Sequence, residues 1–248
     1  MELISGDLVR AIPGFCQPIS SIMHLAGASV AVVAAIPLVR LARGGRHHSL
    51  AISVYAFCVI ATLATSGTYH ALARGCSARA FMQRVDHFAI WLLIAGTFTA
   101  VHGVMCKGFW RFGMLIFIWS YACVGMLLQF IWFEIFSGPA GLLIYLGLGW
   151  LGVISIYKLG RQIGFRAVRP VWYAGIAYSV GAVLEATGHP ILVRRYIGPH
   201  EIFHMAVIVG VALHWSFIRR LLISHVPALN RPAATAPASL SGGAMVAG

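Results

Sequence analysis

The sequence predicts an all-α integral membrane protein, a single bundle of seven transmembrane helices. Of its 248 residues, 60% are apolar and only 10% are charged, a balance outside the range of soluble domains. Apolar segments long enough to cross a hydrocarbon core, about 20 residues each, recur seven times. The connectors between them are short and carry helix breakers, which favours an up-and-down bundle over separate domains.

In order, the predicted spans are 19–41, 50–73, 85–105, 109–131, 139–157, 170–188 and 200–219. Gly44 and Gly45 lie in the first connector, and Gly138-Pro139 and Gly198-Pro199 open the fifth and seventh spans. Pro170 is placed at the start of the sixth, because a first helical position has no use for its own N–H. Residues 1–18 form an N-terminal segment and 19–219 the transmembrane domain. The stretch 220–248 contains PALNRPAATAPASLSGGAMVAG, whose Ala, Pro, Ser and Gly content lacks the periodicity to pack, so it is expected to be a disordered tail.

Formal net charge is +12, yet no basic stripe with interleaved aromatics is present, so nucleic acid is not an expected partner. The arginines fall between spans and are read as topology signals. With seven crossings, Arg10, Arg74, Arg79, Arg84, Arg194 and Arg195 share one face with the N-terminus, and the other twelve Lys and Arg lie on the opposite face. That division favours the second face in the cytoplasm. Cys16, Cys58, Cys76, Cys106 and Cys123 are scattered, with no C-x-x-C pair, and are expected to be small buried thiols. The first residues lack a basic region followed by an apolar core, so no cleaved signal peptide is expected. The protein is expected in a bacterial inner membrane.

Ionisable groups within a bilayer are costly and mark functional candidates. Ser66 and His70 are four residues apart near the end of the second span and share a helix face. Asp86 falls in the first turn of the predicted third span, and His200 and His204 repeat the i, i+4 spacing at the start of the seventh. All three groups reach the same side of the membrane. His70 with His200 and His204 would supply the three protein ligands typical of an open zinc site. The isolated His47, His48, His102, His214 and His225 are read as hydrogen-bonded interfacial residues.

His200-Glu201-Ile202-Phe203-His204 also spells the H-E-x-x-H of zinc peptidases. The companion features are absent: Gly210 stands where a metzincin has its third histidine, and Asp86 is followed by His87 where an intramembrane metallopeptidase has Asp-Gly. Glu201 is placed to approach a metal or to solvate its entry, and proteolysis is not the favoured reading.

The combination of S-x-x-x-H at Ser66 and His70, R-x-D-H-x-x-I from Arg84 to Ile90 followed by IAGTFT, and GPHEIFH at the head of the seventh span resembles the hemolysin III branch of the progestin and adipoQ receptor (PAQR) family. SIMHLAG around His24 extends the likeness, which covers residues 19–218. Ala100, where many members have Pro, and Glu185 within the sixth span depart from the pattern. The resemblance implies a seven-helix bundle with a zinc ion held by His70, His200 and His204, and a metal-bound water also held by Asp86 and Ser66. It further implies hydrolysis of lipid amides such as ceramide.

These readings lead to one expected function, a zinc-dependent membrane-embedded hydrolase of lipid-derived amides or esters, with Asp86 and Ser66 as catalytic groups. The alternatives are a hemolysin III-type cytolysin or pore and a receptor or sensor with a structural zinc. A pore would carry a polar stripe through several spans, whereas the polar groups here collect at one end. His24, His87, Glu185 and His189 are candidate partners behind the ligands.

Overall fold

The computed structural model describes residues 10–224; residues 1–9 and 225–248, with Glu2, Asp7, His225 and most of the expected tail, lie outside them. The described chain is helical, with elements α1 (Pro18–Leu41), α2 (Arg46–Ala71), α3 (Ser77–Met105), α4 (Phe109–Ile131), a short α5 (Phe133–Phe136), α6 (Pro139–Trp150), α7 (Gly152–Ile163), α8 (Phe165–Thr187) and α9 (Pro199–Ser224). A 3₁₀ turn, Ala42–Gly44, joins α1 to α2. α6 and α7 together make one crossing, Ala140–Ile163, broken near Leu151, and this gives the expected bundle of seven. Six of the crossings are long and apolar enough to span by composition. α8 has the length, but Trp172, Tyr173, Tyr178 and Glu185 dilute its aliphatic content.

Five boundaries differ from expectation by more than two residues; α2 begins at Arg46, four residues early, and α7 carries the fifth crossing to Ile163, six residues past its predicted end. α3 begins at Ser77, so Asp86 stands in its third turn and not its first. α8 begins at Phe165, which leaves Pro170 inside the helix. There its missing N–H leaves the Arg166 carbonyl without the donor four residues on, one backbone bond that the helix forgoes. α9 continues to Ser224, five residues past the predicted end.

The outward faces carry Val33, Phe57, Phe112, Ile116, Leu127, Leu143 and Val183, all exposed, as a hydrocarbon solvent requires. One core cluster joins Leu38, Ile52, Val59, Ile218 and Leu221 across α1, α2 and α9. A second surrounds Trp91, with Ile118, Phe136 and Leu148. Bundles in lipid gain little from apolar contact alone, so small residues that allow close approach matter more. A Cβ on Gly96 would lie 2.6 Å from that of Cys58, and one on Gly103 would lie 2.4 Å from that of Ala51. This stripe brings α3 against α2. Thr62 Oγ1 reinforces the pair by donating to the Ala89 carbonyl at 2.9 Å, and Ser21 Oγ donates to the Gly67 carbonyl of α2 at 2.7 Å.

At the end that carries the N-terminus, the chain entering α1 is stitched to the end of α2: the Cys16 N–H bonds the Ala71 carbonyl and that of Gln17 bonds the His70 carbonyl. Arg79 donates to the Tyr69 and Leu72 carbonyls at the α2 C-terminus, where a cation is favoured. This structural use accounts for one of the arginines on the sparsely charged face. The cysteines are free; Cys16 and Cys58 are buried as expected, but Cys76 and Cys106 are half-buried and Cys123 is exposed, because its face of α4 points outward.

Candidate metal centre

His70 lies in the last turn of α2 and is 1% exposed, while His200 and His204 occupy the first two turns of α9. The α1–α2–α3 packing and the return of α9 bring all three together: one nitrogen from each lies within 4.8 Å of the other two. The His200 and His204 Nε2 atoms are 2.9 Å apart, and the His70 ring centroid is 4.5 Å from that of His204 and 5.0 Å from that of His200.

For His70 and His200, the partner behind the ring assigns its proton. Arg79 Nη2 donates to Gln17 Oε1 at 2.7 Å, which fixes that atom as oxygen. His70 Nδ1 therefore donates to Gln17 Oε1, also at 2.7 Å, and its Nε2 holds a lone pair. His200 Nδ1 donates to Glu185 Oε1 at 3.0 Å, leaving its Nε2 as an acceptor. His204 Nδ1 faces His24 Nε2 at 3.0 Å. With each ring held from behind, the front nitrogens converge; those of His70 and His200 are acceptors, and His70 Nε2 is buried with no hydrogen-bond partner. A buried acceptor without a donor is unfavourable; a divalent cation with an affinity for imidazole, such as zinc, satisfies it together with the front nitrogens of His200 and His204. These residues fit such an ion.

An apolar cavity of about 220 Å³ adjoins the cluster, and its wall includes His24, Ser66, Asp86 and His204. Ser66 Oγ is buried without a well-formed hydrogen bond, although the Asp86 carboxyl is close enough to interact with it. Asp86 is half-buried. The cavity follows α3 along Asp86, Ile90, Thr97, Val101 and His102, a helical stripe.

Glu201 is turned to another task. Its Oε2 accepts the Gly198 N–H at 3.0 Å and its Oε1 the Ser20 hydroxyl at 3.4 Å. With Gly198 before Pro199, Glu201 is the third residue of α9, the position from which a glutamate reaches back to cap the preceding N–H. It is 1% exposed and not among the clustered ligands, so the peptidase-like spelling arises from a helix cap beside two histidines.

Among the candidate supporting residues, His24 and Glu185 touch the cluster. His87 Nδ1 bonds the Gln83 carbonyl of its own helix and His189 Nδ1 the Thr187 carbonyl, so neither contacts the three histidines through these bonds. Gln17 was missed, because nothing in the local sequence distinguishes a glutamine before Pro18. The far half of the bundle is also less uniform than expected. His102 Nε2 is 2.9 Å from Ser155 Oγ, and His102, Ser155 and His214 all line the cavity.

Fold and site together define a class: multi-pass helical membrane proteins with a histidine cluster at one end of an intramembrane cavity. A model of haemolysin-III related proteins matches residues 17–215, and the chain belongs to that family, which is part of the PAQR group. It is 31% identical to Hemolysin-3 of Bacillus cereus over 129 residues, covering 52% of this chain and 56% of that protein. It is 29% identical to a Hemolysin-3 homolog of Bacillus subtilis (strain 168) over 131 residues, covering 53% of this chain and 58% of that protein. The match thus spans little more than half the length of these relatives.

Proposed function

We propose that the protein is a zinc-dependent hydrolase of lipid-derived amides or esters in a bacterial inner membrane. The observation that carries this reading is the convergence of His70, His200 and His204, each ring held from behind, beside a cavity that also presents Asp86 and Ser66. His70, His200 and His204 would hold the ion, which when bound supplies Lewis acidity at the scissile carbonyl. The Asp86 carboxylate accepts the proton of the attacking water at an Oδ atom and returns it to the departing amine or alcohol. The Ser66 hydroxyl, lacking a well-formed hydrogen bond, orients that water against Asp86. The apolar wall takes up the acyl chain and limits competing water.

The test is turnover of long-chain N-acyl amides and acyl esters by the purified, zinc-loaded protein in lipid nanodiscs. Product is expected from the parent chain and not from His204→Ala. Absence of turnover across both classes in a protein that does hold zinc would favour the sensor reading.

The names of the Bacillus relatives favour a second reading, a cytolysin. The cavity wall is predominantly apolar, which suits a hydrocarbon chain better than an ion path. Zinc-free protein that conducts ions across a planar bilayer would support the cytolysin.

A further inference from the structure

Two histidines lie deep in the cavity, far from the cluster, and their hydrogen bonding differs. His102 is satisfied at both nitrogens, by the Trp110 carbonyl at 2.7 Å and by Ser155 Oγ at 2.9 Å. His214 is not. Its Nδ1 is 3.1 Å from the Gly210 carbonyl one turn earlier in α9, and a carbonyl only accepts, so Nδ1 carries the proton. Nε2 of the neutral ring is then an acceptor; it is open to the cavity, and no hydrogen bond reaches it among the described residues. The side chain is 8% exposed and lines the cavity.

The ring is held in place. Tyr178 of α8 stacks on it at 5.9 Å between centroids and 21° between planes. Tyr178 can lie there because residue 210 is glycine: a Cβ at that position would come within 2.3 Å of the Tyr178 ring. An aromatic clamp and a fixed tautomer thus present an unpaired acceptor on a predominantly apolar cavity wall.

An acceptor that faces a mainly apolar cavity without a protein partner selects for a ligand that brings a donor, and such sites discriminate strongly against analogues that lack it. We propose that His214 pairs with a hydroxyl group in the middle of the ligand's hydrocarbon chain, which makes the ligand a mid-chain hydroxylated acyl lipid. The position follows from α9 itself. His204 and His214 are ten residues apart, about 15 Å along the axis, which places the hydroxyl roughly ten to twelve carbons from a head group at the metal centre. That placement of the head group rests on the proposed metal-centre reading; the unpaired nitrogen does not.

The probes are octadecanoic acid and its derivatives hydroxylated at carbon twelve or carbon two, each competing with a fluorescent long-chain fatty acid for the purified full chain in nanodiscs. The acid hydroxylated at carbon twelve is expected to bind about tenfold more tightly than the plain acid, as one added buried hydrogen bond implies. Moving the hydroxyl to carbon two should abolish the gain. His214→Leu should bring the ratio near unity while leaving the plain acid's affinity within about twofold, a control for folding. His214→Gln, which keeps an acceptor, should retain part of the preference and serves if the leucine variant does not fold. A parent chain that does not discriminate, or a His214→Leu chain that still does, overturns the proposal. Repeating the competition on zinc-stripped protein separates the two readings: a preference that persists there stands even if no hydrolysis is found, and zinc binding without preference removes this inference alone.

Discussion

His200 Nδ1 lies 3.0 Å from Glu185 Oε1 and so couples the first turn of α9 to the last turn of α8. The carboxylate fixes the ring with its other nitrogen toward His204. Carboxylates behind metal-bound imidazoles raise ligand basicity and hold orientation, and their loss costs about 10- to 100-fold in metal affinity. Glu185→Gln should therefore weaken zinc binding by at least about tenfold in competition with a chelating indicator. Unchanged affinity would mean that the 3.0 Å contact is an interfacial ion pair only.

Glu201 discriminates between two readings of the same five residues. As a cap, it can be replaced by Gln, which also reaches back to an N-terminal N–H; Glu201→Gln should retain most turnover and lose about 1 kcal/mol or less of stability. As a peptidase-type general base, it could not be replaced in this way. Loss of turnover by more than about 100-fold with zinc retained would restore a catalytic Glu201.

Asp86→Asn should separate chemistry from binding. The amide cannot take up the proton, so turnover is expected to fall by about 10²- to 10⁴-fold while zinc content stays at the parent level, because Asp86 is not among the clustered ligands. Zinc loss in this variant would assign Asp86 to the metal and support a closed structural site.

Gly103 tests the packing that carries His70 and Asp86 to the same end of the bundle. A Cβ there would lie 2.4 Å from that of Ala51, so Gly103→Val should force α2 and α3 apart at a cost of about 1–3 kcal/mol. Thermal unfolding in detergent should report a lower midpoint. Gly147, where a Cβ meets nothing within 4 Å, should accept Ala with little change.

The parts of this structure legible in the sequence are those set by local periodicity. Apolar length marked the crossings, and i, i+4 spacing placed His200 with His204 on one face, at the membrane side reached by His70. Helix breaks and crossings were less legible. Pro170 was read as a start signal, but the helix N-terminal to it forms regardless, and nothing in the composition announced the break near Leu151. Gln17 reaches His70 only because the chain before α1 pairs with the end of α2, a tertiary fact. His102 and His214 are expected as hydrogen-bonded interfacial residues; both do form hydrogen bonds, but they are buried on the cavity wall, a position that depends on how α1, α2, α3, α6, α7, α8 and α9 together enclose it. Gln129 is another such case: this fully buried glutamine in an apolar helix accepts from Trp91 Nε1 at 2.7 Å across α3 and α4. Glu201 shows the opposite failure, since its capping position after Gly198-Pro199 was readable and a familiar spelling obscured it.

The most direct measurement is the zinc content of the purified chain, by elemental analysis of the parent protein and of a variant with alanine at His70, His200 and His204. One tightly held ion per parent chain and none in the variant is the predicted result. A parent chain that carries no metal after growth with zinc, or a variant that retains it, would contradict the metal centre and with it the proposed hydrolysis.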